Sequence, residues 1–217
     1  MKFLNLVLTV ILLILPFGAN SALLERLGGL AYYDTDADLT WLADANSLDG
    51  KLTWHSANIR INDLTVAGVG GWRMPETFSR CDTALGLNCA ANSEMGNLFY
   101  NVLGGAALEQ ITTTHNDNYY LFNNIQTNPD FDLENNFRTE SYWSDIAIRA
   151  GSESVYSFSM DIGSQSPAHF FDNSYYVWAV QSGDVALTSV PVPAAVWLFA
   201  SGLVGLFGFN RRFNSKL

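Results

Sequence analysis

The sequence predicts an α+β domain over its central part, flanked by two apolar end segments. Three observations lead there. Two early stretches repeat apolar residues at helical spacing. Short runs rich in aromatic and β-branched residues, bounded by turn residues, occupy both ends of the domain. A long Asn-, Thr- and Asp-rich stretch lies between them. A length of 217 residues suits one domain, and with only 15% charged residues the chain is not of the disordered class.

The elements follow in order. Gly28 and Gly29 precede a predicted strand from Leu30 to Asp34, and a turn rich in Asp leads to a second strand, Leu39 to Leu42. Leu39-Thr40-Trp41 is echoed by Leu52-Thr53-Trp54, but one echo is not a repeat array. Trp54, Ala57, Ile61 and Leu64 recur at steps of three, four and three, which predicts an amphipathic helix ended by Gly68, Gly70 and Gly71. Met95, Leu98, Phe99, Val102 and Leu103 form the stripe of a second helix, with Ser93 as N-cap and Gly104 as its stop. Residues 112 to 141 read as an irregular surface region. Tyr142-Trp143-Ser144 reads as a buried strand. Tyr156, Phe158, Met160 and Ile162 alternate with Ser157, Ser159 and Asp161, the pattern of a half-buried strand. Gly163 to Pro167 is a predicted turn, and Tyr175 to Gln181 a final strand closed by Ser182-Gly183-Asp184.

The end segments predict export. Lys2 precedes an apolar run from Phe3 to Leu15, and Ala19 and Ser21 stand where a signal peptidase needs small residues. A signal peptide over 1–21 is expected. The run is shorter than the roughly 20 residues that span a bilayer, which argues against a permanent anchor there. A second apolar block, 193–210, is long enough for a transmembrane helix, and Arg211 and Arg212 follow it at once, an arrangement that holds them on the cytoplasmic side. Between the ends, the domain over 22–187 holds all 21 acidic residues. It holds seven of the 11 basic ones, since Lys2, Arg211, Arg212 and Lys216 fall outside. Its net charge of −14 speaks against nucleic acid and other anionic polymers as ligands.

The tail resembles a PEP-CTERM-type sorting signal of the V-P-x-P-A-A variety. Val190, Pro191, Pro193 and Ala194 supply the Pro-containing motif, the apolar helix follows, and Arg211 and Arg212 supply the basic end, so that the signal occupies 188–217. The resemblance implies an exosortase, a membrane transpeptidase of Gram-negative bacteria that make exopolysaccharide, as processing partner. It also implies delivery of the mature chain to the cell surface or extracellular matrix. Val192 stands where the strict motif has Glu.

The central part resembles the DUF1566 (Lcl C-terminal-like) family. Leu39-Thr40-Trp41-Leu42-Ala43-Asp44-Ala45-Asn46, the helix from Trp54 and Gly71-Trp72-Arg73-Met74-Pro75 match its first half. Tyr142-Trp143-Ser144 and Tyr176-Val177-Trp178-Ala179-Val180 match its second. The resemblance implies a C-type-lectin-like fold with both chain ends side by side. The chain departs from the family at Gln181, where many relatives carry Arg, and at Asp145-Ile146.

Residues with chemistry are few. Cys81 and Cys89 enclose seven residues; a local disulfide is the preferred reading in an oxidising compartment, over a catalytic thiol or a metal pair. Asp34, Asp36 and Asp38 look like the first half of a calcium loop. Leu39 replaces its glycine and Ala45 its final carboxylate, so a solvated turn is preferred and no metal is assigned. His55, His115 and His169 lie far apart, and no hydrolase, metalloprotease or phosphate-loop motif is present. No cofactor is expected. Of five tryptophans in the domain, Trp41, Trp72, Trp143 and Trp178 read as core. The loop with His115, Asn116, Asn118, Tyr119 and Tyr120 is the candidate ligand surface, because polar loops on a rigid scaffold carry recognition. The expected function is that of a non-enzymatic surface or matrix protein that binds glycan or protein in the exopolysaccharide layer. A polysaccharide hydrolase and a purely structural matrix component are the alternatives.

The sorting reading makes a direct prediction. The segment from Ala194 to Phe209 is about 24 Å long as a helix, at roughly 1.5 Å per residue, slightly short of the hydrocarbon core and suited to release. Protein recovered from the cell exterior should lack everything from about Pro193 onward. C-terminal peptide mass spectrometry checks this, and intact peptides from Trp197 through Arg211 there would make the tail a permanent anchor.

Overall fold

The computed structural model describes residues 23–77, 93–131, 140–147 and 151–185. The expected signal peptide, Cys81 and Cys89, and the tail with its expected sorting motif and apolar segment lie outside them. Among the described residues no helix is long and apolar enough to cross a membrane.

The domain is mixed α and β, with two antiparallel sheets. Strands β1 (Leu23–Arg26), β2 (Ala31–Asp34) and β3 (Leu39–Leu42) form a meander, and β7 (Val180–Ser182) returns from the far end of the domain to pair antiparallel with β3. The sheet order is therefore β1-β2-β3-β7. The β2–β3 turn is closed by Asp34, whose Oδ1 accepts from the backbone N–H of Asp36 at 3.0 Å and of Ala37 at 3.2 Å. Asp38 takes a positive φ of 53°, a conformation Asp tolerates better than most residues.

Helix α1 (Trp54–Asn62) is capped by Thr53, whose side chain accepts from the Ser56 N–H. The echoed tripeptide thus has two fates: Trp41 lies in a buried strand, while Trp54 opens a helix. Helix α1 ends at Asn62, well before the expected glycines, and buries Ala57 and Ile61 alone. Helix α2 (Glu94–Gly96) begins as expected at Ser93, whose Oγ accepts from Gly96 N–H at 3.0 Å. It then widens into a π-helical stretch, Asn97–Val102, in which Leu103 N–H reaches back to the Leu98 carbonyl.

The second sheet is the meander β4 (Ser141–Ala147), β5 (Ser154–Ser159) and β6 (Ser164–His169). Two expectations are corrected here. First, the alternation from Tyr156 to Ile162 is not half-exposed, because Ser157, Ser159 and Asp161 are buried as well. The serines stack across the sheet, Ser159 against Ser141 and Ser164, and Ser157 against Ser166. Second, the turn lies at 160–163, and the segment from Ser164 through Pro167 is strand β6. Proline is tolerated because β6 is an edge strand with one neighbour. The final strand is also shorter than expected; Tyr175 and Tyr176 make single bridges, to Leu52 and Tyr142, before β7 begins.

The core is aromatic. Trp41, Trp72, Trp143 and Trp178 are all buried, as their place in apolar segments suggested. Trp178 meets Trp41 at 6.0 Å, Phe122 at 5.3 Å and Tyr142 at 5.8 Å. Phe99 is the wedge of the π-helical turn. It packs edge-on against Phe158, and its ring comes so close to Gly105 and Gly163 that a Cβ at either would stand 2.5 Å from it.

Gly163 also has a φ of +68°. Gly163→Ala should therefore combine overpacking with left-handed strain and cost about 1–3 kcal/mol. Gly151→Ala, at similar φ but with nothing within 4 Å, isolates the strain component. Chemical denaturation of both variants checks this, with the larger loss expected at Gly163.

Candidate functional site

Residues 115–122 of the polar region build a compact aromatic surface. The chain arrives there from the end of the π-helical stretch. Asn116 N–H donates to the Leu103 carbonyl at 2.7 Å, and the side-chain amides of Asn116 and Asn118 both donate to the Val102 carbonyl, at 3.0 and 2.9 Å. Asn116 Oδ1 accepts from Asn118 N–H and so caps a short 3-10 helix, Asp117–Leu121. Gly104 makes room for this docking, since a Cβ there would lie 3.1 Å from Asn116 N. Both asparagines of the candidate loop thus spend their amides on the end of the helix and serve as its mount.

The three rings of the loop form one cluster. His115 stacks on Tyr119 at 4.3 Å with 14° between planes, and meets Tyr120 edge-on at 4.9 Å. Tyr119 is half-buried against the core, and burial raises its hydroxyl pKa. Tyr120 is 72% exposed, the most exposed large hydrophobic side chain of the described residues. Downstream, Phe122 plugs into the core against Tyr32 and Trp178. Asn123 exchanges backbone hydrogen bonds with Ala43 and Ala45, and Asn124 donates to Asp44. Exposed Tyr120 and the half-buried rings of His115 and Tyr119 therefore stand on a loop fixed at both ends.

A buried carboxylate holds the rest of the irregular region. Asp161 has no exposure, and its two oxygens accept from Asn128 N–H at 2.7 Å and Glu140 N–H at 2.6 Å. Its backbone carbonyl accepts from Ile111 N–H. Desolvation raises its pKa to about 6, outweighing the two hydrogen bonds that favour the anion. This role is not legible in the sequence, because Asp161 falls on the polar side of an alternating pattern.

The remaining motif residues are structural in their contacts. The Arg73 guanidinium forms a bidentate pair with Glu94 at 2.7 Å for both bonds and donates to Ser182 Oγ, so it ties α2 to β7. Glu94 raises its pKa further. Asp34, Asp36 and Asp38 do not converge. Asp34 is buried in its turn and also accepts from Asn97 Nδ2, while Asp38 accepts from the Tyr33 hydroxyl. Among the described residues no group of three or more His, Cys, Asp or Glu side chains is arranged to hold a metal ion. His55 is exposed on α1.

Asp161 yields a pH prediction. Its folded-state pKa lies above the ordinary carboxylate range, so the stabilisation it confers is complete below about pH 4 and is lost as pH rises through about 6. Carbon-detected NMR should show this carboxyl titrating near 6, and Asp161→Ala should speed amide exchange at Asn128 and Glu140 with a loss of about 1–3 kcal/mol. A midpoint near 4 would contradict the desolvated site. Compared with known proteins, the chain matches no family model, no curated protein and no solved structure.

Proposed function

We propose that the chain is an exported, non-enzymatic binding protein of the cell surface or matrix, and that it takes a neutral glycan on the rings of His115, Tyr119 and Tyr120. The observation that carries this reading is the ring cluster with Tyr120 at its exposed edge, on a loop pinned at both ends. Aromatic faces stack on the apolar faces of sugar rings, and a mount fixed in advance lowers the ordering cost of binding. The acidic domain disfavours anionic polymers. A C-type-lectin-like architecture belongs to the same proposal; the return of β7 to the first sheet, beside the hairpin that opens the domain, supports it. Exosortase processing of the tail would bring such a domain into the exopolysaccharide layer, with the polysaccharide or a matrix protein as partner.

The test is a glycan array probed with the full chain, with a parallel turnover assay on the exopolysaccharide of the host. The expected result is binding without cleavage, weakened roughly fivefold by Tyr120→Ala, which corresponds to about 1 kcal/mol of stacking. Products in the turnover assay would favour a hydrolase. Binding indifferent to Tyr120→Ala would remove the site.

A further inference from the structure

The stretch from Ile111 to Asn128, which carries His115, Tyr119 and Tyr120, begins and ends on one residue. The Asp161 carbonyl accepts from Ile111 N–H at 3.2 Å, and the Asp161 carboxyl accepts from Asn128 N–H at 2.7 Å and from Glu140 N–H at 2.6 Å. Further ties hold the same flank. The Tyr142 hydroxyl oxygen accepts from Gln126 N–H at 2.7 Å. The Gln110 side-chain amide donates to the Asn128 and Phe131 carbonyls at 3.5 and 3.4 Å, near the outer limit of a hydrogen bond. Burial keeps the Tyr142 hydroxyl protonated and amides do not titrate, so Asp161 is the member of this set that a change of pH acts on.

Asp161 is fully buried, and among the described residues no basic side chain pairs with it. The titratable groups on the elements around it are Glu140 just ahead of β4 and Tyr142 within it, Asp130 beyond Asn128, Glu109 ahead of Ile111, and Tyr100, whose hydroxyl donates to the Gly163 carbonyl. Of these, Glu140 is the one whose charge acts on Asp161, and it opposes a second negative charge. Lys51 is spent on Glu140 at 2.6 Å.

We infer that the Asp161 carboxyl is a proton-operated latch on the 126–131 flank of the ring-bearing loop, closed with the proton on and loosened when the proton leaves. The device goes beyond the glycan reading and does not depend on what the rings bind. A neutral carboxyl keeps acceptor oxygens for the two amides at a small desolvation cost. An anion in the same place makes stronger hydrogen bonds but has lost its water, and no cation balances it, so ionisation favours release. Opening returns the carboxyl to water, where it titrates at about 4, whereas in the closed latch it titrates at about 6. The opening equilibrium therefore rises as pH climbs through that window. An open latch takes away one of the grips that preset the ring-bearing loop, so pH acts on the readiness of the surface.

The test is native-state hydrogen exchange of the full chain, corrected for the intrinsic pH dependence of amide exchange. The Asn128 and Glu140 amides should open together, at a lower free energy than Leu42 and Val180. Their protection should fall at least about tenfold between about pH 4.5 and about pH 7.5. Asp161→Asn, which cannot ionise, should abolish that fall. Three results overturn the latch: exchange of Asn128 and Glu140 only at the level of Leu42 and Val180, protection that does not change with pH, or a fall that persists in Asp161→Asn. Should Asp161→Asn not fold, the exchange levels and pH profile of the natural chain decide by themselves. A failed latch leaves glycan binding through Tyr120 standing, and glycan binding indifferent to Tyr120→Ala leaves the latch standing, so the two readings fail separately.

Discussion

Residues 175–182 are the constraint on which the rest of the structure depends. Within eight residues the backbone hydrogen-bonds to four separate parts of the chain. Tyr175 exchanges both bonds with Leu52, ahead of α1; Tyr176 bonds to Ser141 and Trp143 of β4. Ala179 accepts from Leu42 of β3, and Val180 exchanges both bonds with Arg73. Such a segment has few backbone groups left to lose, and it is buried from Val177 through Val180. Its side chains work in the same direction. Trp178 donates its indole N–H to the Leu42 carbonyl and fills the space between Trp41, Phe122 and Tyr142. The first sheet, the second sheet and the helical segment are thus packed around one stretch that arrives late in the chain.

The proposed binding surface inherits its rigidity from this arrangement. Phe122, which ends the ring-bearing loop, packs on Trp178, and Asn123 is stitched to Ala43 and Ala45 just beyond β3. At the other end of the loop, the Val102 carbonyl that holds Asn116 and Asn118 belongs to the π-helical stretch. That stretch is positioned by Phe99 against Gly105 and Gly163 and by the Tyr100 hydroxyl, which donates to the Gly163 carbonyl at 2.7 Å. Burial pushes the Tyr100 pKa up to about 12, so the hydroxyl keeps its proton and remains a donor. The outermost end of the domain is stapled too: Arg26 of β1 binds Asp184 through two bonds, at 2.5 and 2.7 Å.

Local signals in the sequence were read well where one element decides its own conformation. The β2–β3 hairpin, the Ser93 cap and the buried tryptophans follow from turn chemistry, capping and apolar context. The errors occur where a distant partner decides. The polar positions Ser157, Ser159 and Asp161 look solvent-facing, yet all three are buried, and no alternation pattern reports remote partners such as the Asn128 and Glu140 amides on Asp161. The segment Gly163 to Pro167 looks like a turn by composition, but the edge of a sheet accepts Pro167 and the true turn lies just before it. The π-helical widening goes with the close fit of Phe99 against Gly105 and Gly163, which lie 58 residues apart in the chain. Of the candidate site, the rings and the exposure of Tyr120 are legible from composition, and the partial burial of His115 and Tyr119 is not. The inward roles of Asn116 and Asn118 are not either, because asparagine reads alike whether it meets solvent or a carbonyl.

The central claim is that residues 175–182 join the sheets into one cooperative unit, and native-state hydrogen exchange tests it most directly. The amides of Leu42, Leu52, Arg73, Trp143 and Val180 all bond to this segment or lie in it. They are expected to share a single opening free energy, the highest in the domain, and to fall together in Trp178→Ala. Exchange of Trp143 at a separate, lower level than Leu42, with Trp178→Ala lowering one and sparing the other, would show two sheets that open independently and would contradict the account.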